Sequence, residues 1–123
     1  KIKHLKPNLI CGVPYTALPM ATAISLEQNL PMVMCRKEIK EYGTKKQIEG
    51  VFKPSQECLI VEDVVTTGGS VLQIAESLKK HDLQVKDIVV LVDRQQGAKA
   101  ALFAAGYQLH SVYTLDEIID THA

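Results

Sequence analysis

Residues 58–70 constrain the fold of this chain more than any other stretch. They read Cys-Leu-Ile-Val-Glu-Asp-Val-Val-Thr-Thr-Gly-Gly-Ser. The apolar run from Cys58 to Val61 predicts a short strand that is buried on both faces. A helix is predicted directly after the string, because four apolar residues recur there with helical spacing: Val71, Ile74, Ala75 and Leu78. The segment therefore predicts one strand, an acidic pair, a polar turn and one helix.

The polar part of this string is typical of a phosphate-binding turn. Glycines allow the backbone to come close to a ligand, and the free N–H groups at a helix start favour an anion. The neighbouring Glu62 and Asp63 would repel a phosphate, so they indicate the hydroxyls of a ribose or a hydrated magnesium ion. The alternative is an ordinary turn that caps a helix, with two solvated acids. The position just past a buried strand favours a ligand site.

Strand and helix patterns alternate along the rest of the chain. Further strands are predicted at Leu9–Val13, Met32–Cys35, Ile88–Val92 and Leu109–Val112, with a short one at Ile48–Phe52. Helices are predicted at Ala17–Gln28, at Leu115–Thr121 and over a segment with Ala98, Ala101, Leu102 and Ala105 on one face, ending at Gly106. This alternation predicts an α/β fold: a doubly wound, mostly parallel five-stranded sheet with helices on both faces. The expected spatial order is second, first, third, fourth and fifth core strand, which brings three polar strand exits to one edge.

Composition limits the partners of the chain. At 123 residues it is expected to form one domain, residues 1–123, and a formal net charge of zero indicates neither a nucleic-acid nor a membrane surface. Three cysteines within or beside apolar strands indicate core thiols in a reducing compartment, hence a cytoplasmic protein. The four histidines lack metal-ligand spacing. The chain begins at Lys1, and its first apolar segment arrives only at Leu9, so a fragment of a longer protein is expected.

Two further polar segments are candidates for ligand contact. The segment from Arg36 to Lys46 is dense in charge and contains Gly43, which indicates an exposed mobile loop. Such a loop is usually only solvated, but its cations would suit a leaving diphosphate. Arg94, after a central strand, could form a bidentate pair with a carboxylate, although the Asp93–Gly97 segment could also be a simple helix cap.

Four segments together resemble the orotate phosphoribosyltransferases, within the type I phosphoribosyltransferases. They read Gly-Val-Pro-Tyr-Thr-Ala-Leu-Pro, Arg-Lys-Glu-Ile-Lys-Glu-Tyr-Gly-Thr, Val-Glu-Asp-Val-Val-Thr-Thr-Gly-Gly-Ser and Val-Asp-Arg-Gln-Gln-Gly. The likeness covers nearly the whole chain and is greatest to the first domain of eukaryotic UMP synthases. It implies transfer of a phosphoribosyl group from phosphoribosyl pyrophosphate to orotate in pyrimidine synthesis, with Mg²⁺.

The resemblance also implies roles for individual residues. Arg36, Lys37, Lys40 and Asp63 would be catalytic, with the 36–46 loop reaching the partner's site in a homodimer. The substrate would contact Tyr15, Thr16, Glu62, Val64, Val65, Thr66, Thr67, Gly68, Gly69, Ser70 and Arg94. Magnesium would be bound mainly through the substrate, near Glu62 and Asp63, with no direct protein ligand.

Three features depart from the family pattern or leave alternatives. Thr16 and Tyr42 stand where many bacterial members have Lys and His, so the resemblance implies no charged contact there. The family's N-terminal hood over orotate cannot be supplied by Lys1 to Asn8. Two other functions remain open: a phosphoribosyltransferase for another base, and a non-catalytic module that binds phosphoribosyl pyrophosphate.

Overall fold

The computed structural model describes residues 5–36 and 48–122, which form an alternating series of strands and helices. In chain order these are β1 (Leu9–Gly12), α1 (Leu18–Gln28), β2 (Met32–Cys35), β3 (Ile48–Glu49), β4 (Glu57–Val65), α2 (Gly69–Lys80), β5 (Gln84–Asp93), α3 (Ala98–Ala104), β6 (Gln108–Thr114) and α4 (Leu115–His122). Each helix in these residues is too short to cross a lipid bilayer.

The strands form one sheet in the order β3-β2-β1-β4-β5-β6. All neighbours pair in parallel except β3, which runs antiparallel to β2. The predicted parallel core and its strand order are therefore confirmed, and β3 adds a short sixth strand at the edge. The strand expected over Ile48–Phe52 stops at Glu49, because Gly50 turns the backbone to a φ of 120°.

Helices cover the two faces of the sheet unequally. The larger core cluster lies on the face of α2 and α3, and a smaller one, centred on Ile10, Leu59 and Val61, lies under α1. All four residues predicted for the inner face of α2 are buried. In α3 only Ala98 and Leu102 are buried, whereas Ala101 and Ala105 are exposed, because this helix ends at Ala104 and contacts the core along a narrow stripe.

The cysteines are core residues, as predicted. Cys11, Cys35 and Cys58 are all buried and unpaired. Burial, followed by the neighbouring Cys11, raises the pKa of Cys35 to about 11, and a hydrogen bond with Cys11 together with burial raises the pKa of Cys58. Both thiols are therefore protonated at neutral pH and unreactive.

The central strand β4 is longer than expected. The sequence placed Glu62 and Asp63 after the strand, but β4 continues to Val65 and contains both acids. Pairing with β1 ends at Val61, opposite Gly12, whereas pairing with β5 continues to Val65, opposite Asp93. The acidic pair thus lies on a rigid stretch of strand that has a neighbour on one side only.

Candidate active site at the carboxyl edge of the sheet

Three polar segments meet at the carboxyl edge of the parallel strands. The loop after β1 joins β4 where Val13 N–H donates to the Val61 carbonyl, at 3.0 Å. The loop after β5 joins it where Arg94 N–H donates to the Val65 carbonyl, also at 3.0 Å. The predicted convergence of three strand exits is therefore confirmed, and the turn into α2 lies between the other two.

The two acids have different surroundings. Glu62 is only 8% exposed, and its Oε1 accepts the backbone N–H of Asp63 at 2.8 Å. Asp63 is half-buried, and its Oδ1 accepts the N–H of Val64 at 2.8 Å. Glu62 thus supports the backbone of β4, whereas Asp63 is the more accessible of the two carboxyl groups.

Asp63 is held in its ionised form. A hydrogen bond with the Glu62 carboxyl, then one from the Thr16 hydroxyl and one from the Val64 N–H, lower its pKa, while burial opposes them. Thr16, in the loop after β1, therefore lies close to the acidic pair. An ionised carboxylate at a sheet edge can accept hydrogen bonds from ligand hydroxyls.

The turn from β4 into α2 leaves the helix start open. Gly68 precedes the helix with a φ of 92°, no side chain caps the first turn, and the first turn holds no acid. Thr66 is half-buried, and Thr67 and Ser70 are exposed. Backbone N–H groups and hydroxyls at such a helix start can bind an anion.

The two glycines of this turn serve different purposes. A Cβ on Gly68 would lie 3.3 Å from the Cβ of Ala98, so this glycine allows both the left-handed backbone and close packing of α3. A Cβ added at Gly69 would have Thr67 Oγ1 as its nearest neighbour outside the adjacent residues, at 4.0 Å. The sequence analysis assigned both glycines the same role, but Gly68 is required by the protein's own packing.

The loop after β1 is fixed at its base and open at its tip. A Cβ on Gly12 would lie 2.8 Å from the Cβ of Ala21, so α1 packs directly on the end of β1. The peptide bond between Pro14 and Tyr15 is cis, and Tyr15 is 71% exposed. Thr16 is exposed beside it, so both predicted residues of this loop face the rim.

Within the predicted cationic loop, Arg36 is the residue that the structure describes. It follows β2 and forms an ion pair with Glu49 of β3, a partner that the sequence analysis did not find. The only available signal was the short apolar pattern at residues 48–52, which predicted a strand but not its pairing with β2. Lys37, Lys40 and the rest of the loop to Lys46 lie outside the described residues, as does the prediction of its mobility.

The loop after β5 exposes Arg94 and buries its neighbour. Asp93 is 5% exposed, and its Oδ1 accepts the N–H of Gln95 at 2.8 Å. The side chain of Gln95 in turn accepts the N–H of Asp116, which ties the loop to α4. Asp93 and Gln95 therefore shape the loop, and the exposed Arg94 is available to a ligand.

No direct metal centre is formed by the described parts of the chain. Within residues 5–36 and 48–122, no three His, Cys, Asp or Glu side chains are placed to hold a metal ion. Asp63 could still contact a hydrated ion, because Mg²⁺ is often bound through one or two carboxylates, its own waters and substrate phosphates.

Comparisons with known proteins agree with this geometry. The family described as "Phosphoribosyl transferase domain" matches residues 2–105. Uridine 5'-monophosphate synthase of Bos taurus is 54% identical over 112 residues, covering 91% of this chain and 23% of that protein. Orotate phosphoribosyltransferase of Caenorhabditis elegans is 47% identical over 117 residues, covering 95% of this chain and 52% of that protein. The chain thus spans about half, or less, of these relatives.

Solved structures give the same result. UMP synthase of Leishmania donovani superposes with a TM-score of 0.88 at 40% identity, covering 97% of this chain and 26% of that chain. Orotate phosphoribosyltransferase of Mycobacterium tuberculosis in complex with 5-phospho-alpha-D-ribosyl 1-diphosphate superposes with a TM-score of 0.79 at 29% identity, covering 95% and 68%.

Proposed function

Since this chain belongs to the phosphoribosyl transferase domain family, we propose that it forms the phosphoribosyl pyrophosphate-binding core of an orotate phosphoribosyltransferase. The reaction would break the bond between C1 of the ribose and the diphosphate, and form a bond between C1 and a ring nitrogen of orotate. Its products would be orotidine 5'-monophosphate and pyrophosphate. The observation that carries the proposal is the half-buried Asp63 at the carboxyl edge of the sheet, beside the start of α2, which no side chain caps.

The ribose would bind at the acidic pair. Asp63 is ionised and half-exposed, so its carboxylate can accept hydrogen bonds from the two ring hydroxyls. Glu62 is nearly buried and already accepts the Asp63 N–H. Its contribution to the sugar would therefore be smaller than that of Asp63.

The 5'-phosphate would bind in the turn from Val64 to Ser70. The start of α2 supplies N–H groups with no side-chain cap and a favourable helix dipole. Hydroxyls of Thr66, Thr67 and Ser70 would add donors, and Gly69 has room for a close approach of the ligand. Val64 and Val65 would contribute backbone groups alone.

The diphosphate would lie between the loop after β1 and the end of β2. Tyr15 and Thr16 face this space from one side, and Arg36 follows β2 on the other. Mg²⁺, when bound with the substrate, would neutralise part of the diphosphate charge, and Asp63 fits a contact through its water shell. Lys37 and Lys40 would stabilise the charge that develops on the leaving diphosphate.

Orotate would be recognised by Arg94. This side chain is exposed at the same edge, and a guanidinium can pair with the carboxylate of orotate through two parallel hydrogen bonds. A purine lacks that carboxylate, so Arg94 is the residue that distinguishes this proposal from a phosphoribosyltransferase for another base. The names of the most similar relatives support orotate.

A homodimer is part of the proposal. Helix α1 carries apolar residues around its circumference, and its Leu26 is 78% exposed. A helix whose apolar residues are not confined to one face can be covered on more than one side. A second copy of the chain would cover its outer side and bring the 36–46 loop to the neighbouring site.

The protonated core thiols suit a reducing compartment such as the cytoplasm.

Calorimetric titration of the chain with phosphoribosyl pyrophosphate and Mg²⁺ tests the proposal, followed by an assay with orotate or adenine. We expect saturable binding of phosphoribosyl pyrophosphate and, in an intact enzyme containing this core, turnover of orotate but not adenine. The 123-residue chain alone should turn over little orotate, because within the described residues Arg94 is the candidate contact for the base, and one ion pair does not position a ring for reaction. Absence of phosphoribosyl pyrophosphate binding, or preference for adenine, would refute the assignment.

A further inference from the structure

The ion pair between Arg36 and Glu49 joins two strands at the carboxyl edge. Cys35 of β2 lies opposite Ile48 of β3, and both are buried on the face that carries α2. Because successive residues of a strand point to opposite faces, Arg36 and Glu49 both lie on the other face. They are diagonal neighbours across an antiparallel pair, a position from which long side chains reach each other.

Arg36 is placed at the same edge as the proposed diphosphate site. Met34 of β2 is in register with Gly12 of β1, so Arg36 lies just beyond the point where the loop after β1 begins. An unsupported arginine at that point could adopt many rotamers. Ordering such a side chain opposes binding, so a residue that orders it in advance favours the ligand.

The ion pair restrains one end of the guanidinium. Glu49 Oε1 contacts Arg36 Nη2, and the arginine side chain is 23% exposed. Among the described residues, Arg36 Nε is buried without a hydrogen-bond partner. With Nε buried and Nη2 bonded to Glu49, the donors left for a ligand are the remaining N–H groups at the outer end of the guanidinium.

We propose that Glu49 is a positioning residue that presents the outer N–H groups of Arg36 to the diphosphate of the substrate. Glu49 makes no contact with the substrate itself and acts through Arg36. The inference rests on the proposed function, because it assumes that phosphoribosyl pyrophosphate is the ligand.

The test is a double-mutant cycle measured by calorimetric titration with phosphoribosyl pyrophosphate and Mg²⁺. We expect Glu49→Gln to weaken binding by about twofold to tenfold, the effect of one side chain losing its order. In an Arg36→Ala background the same change should have no further effect. Glu57→Gln is the matched control, since it removes one carboxylate from the Lys86–Glu57 pair at the opposite edge of the sheet and should leave binding unchanged.

The outcomes separate this inference from the proposed function. Unchanged or tighter binding by Glu49→Gln, or equal weakening with and without Arg36, would overturn the positioning role. Thermal unfolding distinguishes a structural effect, which would appear in both backgrounds. If the unmodified chain binds phosphoribosyl pyrophosphate and Asp63→Asn weakens that binding, the proposed function holds even when the role of Glu49 fails. If the unmodified chain does not bind it, both fail.

Discussion

The crossovers from β4 to α2 and from β5 to α3 have the same local design but different surroundings. Each helix is preceded by a left-handed glycine, with φ of 92° at Gly68 and 100° at Gly97, and neither helix has a side-chain cap. The helix α2 has 12 residues and α3 has seven. Asp63 is half-buried and faces the edge, whereas Asp93 is buried and bonded within its own loop.

Because both helix starts are open, this feature alone does not distinguish the predicted phosphate site from the other crossover. The α2 start is surrounded by hydroxyls and lies beside an ionised acid that bonds to the neighbouring loop. In the loop before α3, the polar side chains form hydrogen bonds within the loop and to α4. Ligand binding should therefore depend mainly on the crossover from β4 to α2. The crossover from β5 to α3 should stabilise the fold and carry Arg94.

The acids of the two crossovers give the largest expected contrast. Asp63→Asn should weaken phosphoribosyl pyrophosphate binding by about 1–3 kcal/mol, because charge-assisted hydrogen bonds to the ribose are lost. Asp93→Ala should instead lower the free energy of unfolding by about 1–3 kcal/mol, because the hydrogen bond from the Gln95 N–H to the buried Asp93 carboxyl is lost. Calorimetry and urea denaturation of both variants measure the two effects. Equal loss of affinity in both variants would contradict the distinction.

The left-handed glycines give a smaller contrast in stability. Gly68→Ala and Gly97→Ala should each cost about 1–2 kcal/mol, because an L-residue disfavours this conformation. Gly68→Ala should cost more, since its Cβ would also lie 3.3 Å from Ala98, whereas no atom lies within 4 Å of a Cβ on Gly97. Urea midpoints of the two variants rank them, and a more stable Gly68→Ala would show that α3 can move aside freely.

Acidification should have a smaller effect, which concerns the contribution of Asp63 to stability. The pKa of Asp63 is lowered in the folded protein, so its contribution to stability is complete above the ordinary value of 3.8. That contribution is lost as the pH falls through 3.8 towards the lower folded value. The difference in stability between the unmodified chain and Asp63→Asn should therefore shrink on acidification. Thermal unfolding at a series of pH values measures it, and a difference that grows would have the wrong sign.

Gly69→Ala is expected to have the smallest effect on the fold. The position has ordinary backbone geometry, and its nearest neighbour is 4.0 Å away, so the change in unfolding free energy should stay within about 0.5 kcal/mol. Any loss of phosphoribosyl pyrophosphate affinity in this variant would then report on the ligand rather than on the protein. A large loss of stability would mean that this glycine, like Gly68, serves internal packing.

Periodicity predicted the fold well where packing determines it. The inner face of α2 and the parallel strand order follow from apolar spacing and from the right-handed crossover, both of which are visible in the sequence. The sequence did not predict where β4 ends, because the length of a strand depends on its neighbours. Strand β5 continues to Asp93, while β1 stops at Gly12.

The sequence named the residues of the candidate site but not the separate contacts that each of them makes. The motif identified Glu62 and Asp63 together, yet only the folded backbone shows that Glu62 is turned towards the Asp63 N–H. The Arg36–Glu49 pair joins residues 13 positions apart through strand pairing, which residue spacing does not reveal. Contacts of this kind depend on three-dimensional register rather than on local pattern.

The one-sided stretch of β4 has a consequence for the protein's solubility. Beyond Val61 the β1 side of β4 has no strand partner, and Asp63 lies in this stretch. An open strand edge invites another chain to add itself by backbone pairing. The Glu62 carboxyl group occupies the Asp63 N–H, and the ionised Asp63 places negative charge beside it. The two acids of the predicted ligand site therefore also protect a central strand against self-association.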